Sequence, residues 1–373
     1  MAARYYVAPH QLSTDVMSTT DRGDITRDPA GEIAALCRSY REQGSLVDAQ
    51  TRLREGLAVY PRDVRLLTER VLLDNLNTPQ DGAYRSVEQS RPSIEIILCV
   101  YNALDDTKRC LNSILSKTTY PYSLTIIDDA SAAEVRDYLN AFAAGLNDVR
   151  VISHSENLGY SKSTNRGLAE ARADWVVLLN SDTVLTTGWL EGLVNCALSD
   201  AANAAVGPLS NAAGRQTITA ANDLSLSGGP EQMAALTKQV AKNLYHQVPV
   251  LIGFCTLVSL PALKEIGYLD AINFPGYQVD WDMSLRLLSA GYKLRIAEDV
   301  YVHHGSGVSF GRGEKRDRFL AEGGQRLQEI WPGCDCNSIR HAVDLSLKDI
   351  QKAVKGNPAN RILRALRRYT FGA

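Results

Sequence analysis

The sequence predicts an α/β protein with a mostly parallel sheet behind a small all-α N-terminal region, and three observations carry that prediction. From Ser93 onward, short apolar runs alternate with amphipathic stretches, the pattern of right-handed crossovers in a parallel sheet. Before Ser93, apolar residues recur at helical spacing with no strand-like run among them. Acidic residues also stand where apolar runs end: Asp128 and Asp129 follow Leu124-Thr-Ile-Ile127, and Asp182 follows Trp175-Val-Val-Leu-Leu-Asn-Ser181. In open α/β sheets the carboxyl ends of strands are where ligands sit.

Composition sets the outer limits. With 373 residues, 45% of them hydrophobic, the chain is long enough for one large domain and a smaller one. A formal charge of -2 gives no electrostatic reason to expect a nucleic-acid partner. No apolar run reaches the roughly 18 residues that span a bilayer, and Met1-Ala-Ala-Arg-Tyr-Tyr6 lacks a signal-peptide apolar core, so a cytoplasmic location is expected. The 7 cysteines are scattered, several in apolar settings such as Leu98-Cys99-Val100, which suits small buried side chains in a reducing compartment. Cys334 and Cys336 are close together but lack further Cys or His at zinc spacing.

The elements follow in order. Residues 1–29 are polar and aperiodic and are expected to be disordered or loosely packed. Residues 30–78 are helical. Ile33, Leu36, Cys37 and Tyr40 share one face, Gly44 breaks the run, Ala49, Leu53, Gly56 and Leu57 make a second face, and Pro61 stops it. This spacing resembles a tetratricopeptide repeat, although a plain helical hairpin gives the same period. A lone repeat cannot bury both faces, so it must pack on the rest of the chain or on a protein partner. Residues 79–92 form a linker with Pro79, Gly82 and Pro92. In the main domain, 93–333, strands are expected at 94–100, 124–127, 149–152 and 175–179, with helices at 107–116, 133–142 and 162–172 between them. The alternation then stops. Residues 207–230 read as a long surface loop, followed by a helix over 231–245, a strand over 248–259 and a helix over 282–289 closed by Gly291. Residues 334–373 read as a helical, basic tail whose stretch 360–371 sets Ile362, Leu363, Leu366 and Tyr369 against four arginines. Such a stretch either rests on an anionic membrane surface or packs on its own domain.

The strand ends carry the candidate chemistry. Val100, Tyr101 and Asn102 end the first strand and Asp129 ends the second, and an aromatic ring beside a carboxylate can sandwich a nucleobase and accept its imino proton. Taken singly, Asn102 and Asp129 are also ordinary turn residues. Asn157 and Gly159 open a helix whose first backbone amides can face a diphosphate, with Lys162 and Arg166 nearby, while an N-cap at Ser161 explains the same residues. Ser181 and Asp182 end the fourth strand. Asp280-Trp-Asp282 and His303-His304 lie far downstream. Three acidic sites and a histidine, each beside a strand-like or helix-like segment, suggest one cleft for a metal and a phosphorylated ligand.

Ser93-Ile-Glu-Ile-Ile-Leu-Cys-Val-Tyr-Asn102, Ile126-Ile-Asp-Asp-Ala-Ser131, Asn157-Leu-Gly-Tyr160 with Asn165-Arg-Gly167, Leu178-Leu-Asn-Ser-Asp-Thr183, Gly207-Pro-Leu-Ser-Asn211 and Val302-His-His-Gly305 occur in that order. The ordered set resembles the family 2 glycosyltransferases of the GT-A fold, a Rossmann-like nucleotide-diphospho-sugar transferase architecture, and within them the rhamnosyltransferase-like branch that builds cell-surface glycans. The resemblance runs from about Ser93 to Trp331. It implies an inverting, metal-dependent hexosyl or rhamnosyl transfer from a nucleotide-diphosphate sugar to a hydroxyl of a glycan or lipid-linked acceptor, with Mn or Mg as the ion. It further implies that Tyr101 and Asp129 hold the base, that Val100, Asn102, Asn157, Gly159, Asn165 and Ser181 line the donor site, that Asp182 and His304 bind the metal, and that Asp280 is the catalytic base. The chain departs from the family pattern at Asn180, where a first aspartate is usual, and at Val279, where a glutamate is usual. His303 is the weaker metal candidate, and Asp282 is a structural or capping group. Trp281 and Trp331 read as core.

Two other readings compete. A nucleotidyltransferase of the sugar pyrophosphorylase type also uses a doubly wound sheet and a metal, but it carries a Gly-rich phosphate loop where this chain has Val100-Tyr-Asn-Ala-Leu104. A non-catalytic nucleotide-sugar-binding scaffold fits the changes at Asn180 and Val279, against the presence of Asp182, Asp280 and His304.

Overall fold

The computed structural model describes residues 28–77, 91–218, 229–241, 245–305 and 314–335, with 337, 339–344, 347 and 352. The expected loose N-terminal segment, nearly all of the linker and the basic stretch 360–371 therefore lie outside the described residues.

The helical region consists of α1 (Pro29–Glu42), α2 (Leu46–Val59) and α3 (Val64–Leu76). Asp28 caps α1 by accepting from Gly31 N, with Pro29 at the first helical position, and Asp63 caps α3 by accepting from Arg65 N and Leu66 N. Helices α1 and α2 meet closely because Gly56 has no side chain: a methyl group there would lie 2.9 Å from Ile33 Cγ2. Helix α3 works on two sides. Leu66 and Leu73 join the α1 and α2 cluster, while Val64, Leu67 and Val71 enter the core of the main domain. Full burial of each such side chain is worth about 1.5–3 kcal/mol. The junction is also hydrogen bonded, since Asn75 Nδ2 donates to Gln247 O (2.9 Å) and Gln247 N donates to Asn75 Oδ1 (2.8 Å). Arg62 lies 4.5 Å above the Trp331 ring. The helical region thus buries its third helix on the rest of the chain.

The main domain begins with β1 (Ile94–Val100), α4 (Leu104–Lys117), β2 (Ser123–Asp128), α5 (Ala133–Ala143), β3 (Val149–Ser153), α6 (Tyr160–Glu170) and β4 (Trp175–Asn180). These match the expected alternation with shifts of a few residues at the helix ends. After β4 come β5 (Thr183–Val184), α7 (Trp189–Leu198), β6 (Asn203–Leu209), α8 (Gly229–Val240), β7 (Cys255–Ser259), α9 (Leu260–Ile266), α10 (Val279–Ser289), β8 (Lys293–Tyr301), β9 (His303–His304) and α11 (Glu314–Ile330). The main sheet has the order β3-β2-β1-β4-β7-β6-β8, and a two-stranded ribbon pairs β5 with β9. All neighbours in the main sheet are parallel except β7, which runs antiparallel to β4 and β6. Because β7 is reversed, its N-terminal end lies beside the carboxyl end of β4.

The second half corrects several expectations. The loop expected from Gly207 starts inside β6, whose Gly207-Pro208-Leu209 are paired to β8, and residues 219–228 of that loop are outside the described set. The strand expected over 248–259 is regular only from Cys255, because Gly253 and Phe254 form a turn that sends the chain antiparallel along β4. Helix α8 ends at Val240 rather than at Tyr245. Helix α10 starts at Val279, so Asp280 and Asp282 both fall in its first turn. Helices α7 and α9 and strand β8 were not expected. Among the described residues no helix is long and apolar enough to cross a membrane.

Candidate active site

A cavity of about 630 Å³ opens at the carboxyl ends of β1, β2 and β4 and is walled by the first turns of α6 and α10. Val100, Tyr101, Asp129, Asn157, Gly159, Ser181, Asp182, Asp280 and His304 line it. Residues spread over two hundred positions of sequence are thereby gathered at one place. Asn102 and Asn165 do not line it. The Asn102 Oδ1 accepts from Ala132 N (2.9 Å) and its N–H donates to Ser131 Oγ (2.9 Å), tying the end of β1 to the loop after β2. The Asn165 carboxamide exchanges two bonds with the Leu269 backbone (2.8 and 2.9 Å). Both ends of the Asn165 carboxamide and the Oδ1 of Asn102 are thus bonded to backbone groups.

Asp129 is buried, and its two oxygens accept from Leu158 N (2.7 Å) and Gly159 N (2.9 Å). It therefore shapes the turn that opens α6, and lone pairs remain on each oxygen for a ligand. Tyr101, beside it on the rim, is 41% exposed, so one face of the ring is open to a stacking partner.

Asp182 and His304 come together through the β5–β9 ribbon, in which Thr183 pairs with His304. His304 Nε2 lies 3.3 Å from Asp182 Oδ1, and Gly305 N donates to Asp182 O at 2.7 Å. His304 Nδ1 contacts Ala212 O at 2.7 Å. A carbonyl oxygen only accepts, so Nδ1 carries the hydrogen and Nε2 faces the carboxylate. Asn211, present in a quoted motif but given no role from sequence, accepts from His304 N (2.8 Å) and donates to His304 O (2.9 Å). Burial lowers the pKa of His304, but its bonds to Asp182 and Ala212 outweigh that and leave it raised. His303 is buried behind the ribbon, and burial, then the charge of His304, pushes its pKa down to about 4.

The donor set fits a divalent cation in one respect and limits it in another. One carboxylate and one imidazole held by a second hydrogen bond form a typical partial ligand set. Among the described residues no three His, Cys, Asp or Glu side chains gather at one point, so the remaining ligands must come from water or a bound molecule. Three aspartates line the cavity, and no described lysine or arginine does. An anionic ligand would thus need a counter-cation.

Asp280 lines the same cavity from the first turn of α10. Its Oδ2 accepts from Gly253 N (3.0 Å) and its Oδ1 from Trp281 N (3.0 Å). Burial raises its pKa, with the two backbone amides pulling the other way. Asp282 points elsewhere: Oδ1 accepts from Trp331 Nε1 (3.0 Å) and Oδ2 from Arg286 Nε (2.7 Å). Trp331 is fully buried, as expected of a core residue.

A mostly parallel sheet with one reversed strand, an acidic ligand-sized cavity over its carboxyl ends and a carboxylate–imidazole pair on a short ribbon define the GT-A class. Residues 95–267 match the sequence profile described as Glycosyl transferase family 2, and this domain belongs to that family. Among curated proteins, a pre-mycofactocin glycosyltransferase of Mycobacterium tuberculosis is 25% identical over 271 residues, 70% of this chain and 51% of that protein. Glycosyltransferase AglE of Haloferax volcanii is 23% identical over 216 residues, 57% of this chain and 67% of that protein. The chain spans about half the length of the mycobacterial relative. Among solved structures, the mannosyltransferase PcManGT of Pyrobaculum calidifontis, in complex with GDP-Man and Mn2+, matches with a TM-score of 0.51 at 17% identity over 91% of this chain and 92% of that one, a likeness of fold.

Proposed function

We propose that the protein transfers a sugar, with inversion, from a nucleotide-diphosphate donor to a hydroxyl of a glycan or glycolipid acceptor, in the assembly of cell-surface polysaccharide. The observation that carries this reading is the meeting of Asp182 and His304, 3.3 Å apart, in the same cavity as the buried Asp280. Tyr101 stacks on the nucleobase, and Asp129 accepts a hydrogen bond from its edge. Asp182 and His304 would hold Mn or Mg, and such a cation neutralises charge that grows on the leaving diphosphate. The ion that accompanies GDP-Man in the mannosyltransferase of similar fold is Mn2+. Asp280 takes the proton of the acceptor hydroxyl as that oxygen attacks the anomeric carbon from the side opposite the diphosphate, help worth about 10²- to 10⁴-fold. Burial makes Asp280 a stronger base than an exposed carboxylate, and the Gly253 and Trp281 amides keep it aimed.

The same reading gives the protein a cytoplasmic location at the inner face of the membrane, where 360–371 would meet a lipid-linked acceptor, and leaves α1 and α2 available to a protein partner. The test is a donor hydrolysis and transfer assay with UDP-, dTDP- and GDP-sugars in Mn or Mg. Full activity of Asp182→Ala would remove the metal role, and unimpaired turnover by Asp280→Asn would remove the base. Release of pyrophosphate from a nucleoside triphosphate would instead favour a nucleotidyltransferase. A thermal-shift screen of the same sugars identifies the base and sugar, because a ligand that binds the native state raises its melting point.

A further inference from the structure

The turn before β7 contains two consecutive residues, Gly253 and Phe254, that contact Asp280 and His304 respectively. Gly253 N donates to Asp280 Oδ2 at 3.0 Å. The Phe254 ring stacks on the His304 imidazole, with centroids 4.9 Å apart and planes at 24°. Phe254 O accepts from Asn180 N at 2.9 Å, two residues before Asp182. Ile252 N donates to Gln216 Oε1 (2.7 Å), and Gln216 Nε2 donates to Pro208 O (2.9 Å), which fastens the turn to β6. Phe254 is 1% exposed, so the stack is part of a packed wall.

Two properties make this turn more than a connection. A methyl group on Gly253 would lie 2.9 Å from Asp280 Cβ, a separation that side-chain carbons do not tolerate, so the aspartate or the first turn of α10 would have to move. The glycine is therefore required by the closeness of Asp280 to the backbone that orients it. The second property concerns the imidazole, which is held at Nδ1 by Ala212 and at its main chain by Asn211 but is kept from tilting by the Phe254 face.

Resting on the transferase reading above, we infer that Gly253 and Phe254 are positioning residues, Gly253 acting through Asp280 and Phe254 through His304, so that one rigid turn fixes the base relative to the metal pair. A backbone N–H as the orienting donor has a physical advantage: it sits on a turn anchored to the sheet by β7 and has no rotamer to lose. Displacing the aspartate by about 1 Å costs on the order of 10²-fold in rate, which is the scale expected of the glycine's removal.

The experiment compares Gly253→Ala, Phe254→Leu and Asp280→Asn, singly and combined. It measures donor hydrolysis with UDP-, dTDP- and GDP-sugars, and Mn2+ binding in the presence of UDP or GDP by calorimetry. Gly253→Ala is expected to lower kcat about 10²-fold and leave donor KM and Mn2+ affinity unchanged. Phe254→Leu is expected to weaken Mn2+ binding about tenfold. In the Asp280→Asn background, Gly253→Ala should cause no further loss, because its effect passes through that carboxylate. Independent, additive losses would overturn the inference while the transferase reading stands. A wild-type chain that turns over no nucleotide sugar and binds no Mn2+ with nucleotide would overturn both. If Gly253→Ala fails to fold, the clash predicts that adding Asp280→Gly restores folding, and a double variant that stays unfolded refutes it.

Discussion

Asp280 and Asp282 stand two residues apart in the first turn of α10, and the structure gives them opposite consequences when neutralised. Residues at i and i+2 of a helix face different directions. Asp282 has a side chain only 3% exposed and bridges Arg286 (2.7 Å) and Trp331 Nε1 (3.0 Å). Breaking a buried ion pair costs about 3–5 kcal/mol. Arg286 keeps the carbonyls of Ile266 (3.1 Å) and Gly267 (2.7 Å), and an asparagine retains one acceptor, which places Asp282→Asn at the low end, about 3 kcal/mol. For a domain of this size that corresponds to a melting point lower by roughly 6–12 °C.

Asp280→Asn has a small effect on stability, because two terms oppose. One of the Gly253 and Trp281 amides loses its acceptor, a cost of about 1–3 kcal/mol. Against that, burial raises the pKa of Asp280 above 3.8, so its ionised form is a net cost to folding at neutral pH, relieved as pH falls through the folded pKa. Its turnover should fall about 10²- to 10⁴-fold. Differential scanning fluorimetry and donor hydrolysis at 25 °C read the two quantities separately. The reasoning is refuted if Asp282→Asn melts with the wild type, or if folded Asp282→Asn is inactive while Asp280→Asn turns over normally.

Three further outcomes follow from the same geometry. The acidic limb of kcat/KM should lie above 3.8 and disappear as a feature in Asp280→Asn, because burial raises that carboxyl and its proton must be off for it to act as base; a pH series with wild type and variant checks this. Mn2+ binding should be weak alone and strengthen with UDP or GDP, since two side chains leave most of the ion's ligands to be supplied by the diphosphate, and Asp182→Ala should abolish the enhancement in calorimetry. Burial pushes the Asp200 carboxyl up, but its bonds to Lys293 and Ala202 and the charge of Arg295 win and hold it at about 2. Asp200 thus contributes stability above pH 4 that is lost as pH falls through about 2, about 1 kcal/mol once its contact with solvent is allowed for, and urea unfolding of Asp200→Asn at pH 7 should show that loss.

The first half of the domain was legible because β1, β2 and β4 are buried on both faces and so appear as continuous apolar runs, while α4, α5 and α6 between them are amphipathic. The second half hides its elements for identifiable reasons. Strand β8 contains Arg295, Glu298 and Asp299, which break the apolar run. Arg295 is buried all the same, satisfied by Asn203 Oδ1 (2.7 Å), Tyr245 O (2.6 Å) and Asp200 Oδ2 (3.1 Å). Helix α7 is buried around most of its surface and shows no polar stripe to set its period. Strand β6 carries Gly207 and Pro208, which read as loop residues, yet it is fully buried between β7 and β8. At the site, motif residues on strand ends landed in the cavity, whereas Asn102 and Asn165 did not, since an asparagine in a motif looks the same whether its amide meets a ligand or a neighbouring backbone.

The choice between His303 and His304 shows what adds the missing information. Adjacent histidines are chemically equal in sequence, and on a strand they point to opposite faces, so the pairing register decides which one meets Asp182. The observed pairs are Thr183 with His304 and Val184 with His303. A slip of one residue would send His304 into the buried side and bring His303 into the cavity. A ribbon of two residues per strand is too short to hold its register alone. Asn211 adds to that hold, because its carboxamide is bonded to both the N–H and the carbonyl of His304, and the imidazole itself is held by the contact of Nδ1 with Ala212 O and by the Phe254 ring. The imidazole that faces Asp182 is therefore supported by contacts from the loop after β6 and the turn before β7, both far from His304 in sequence.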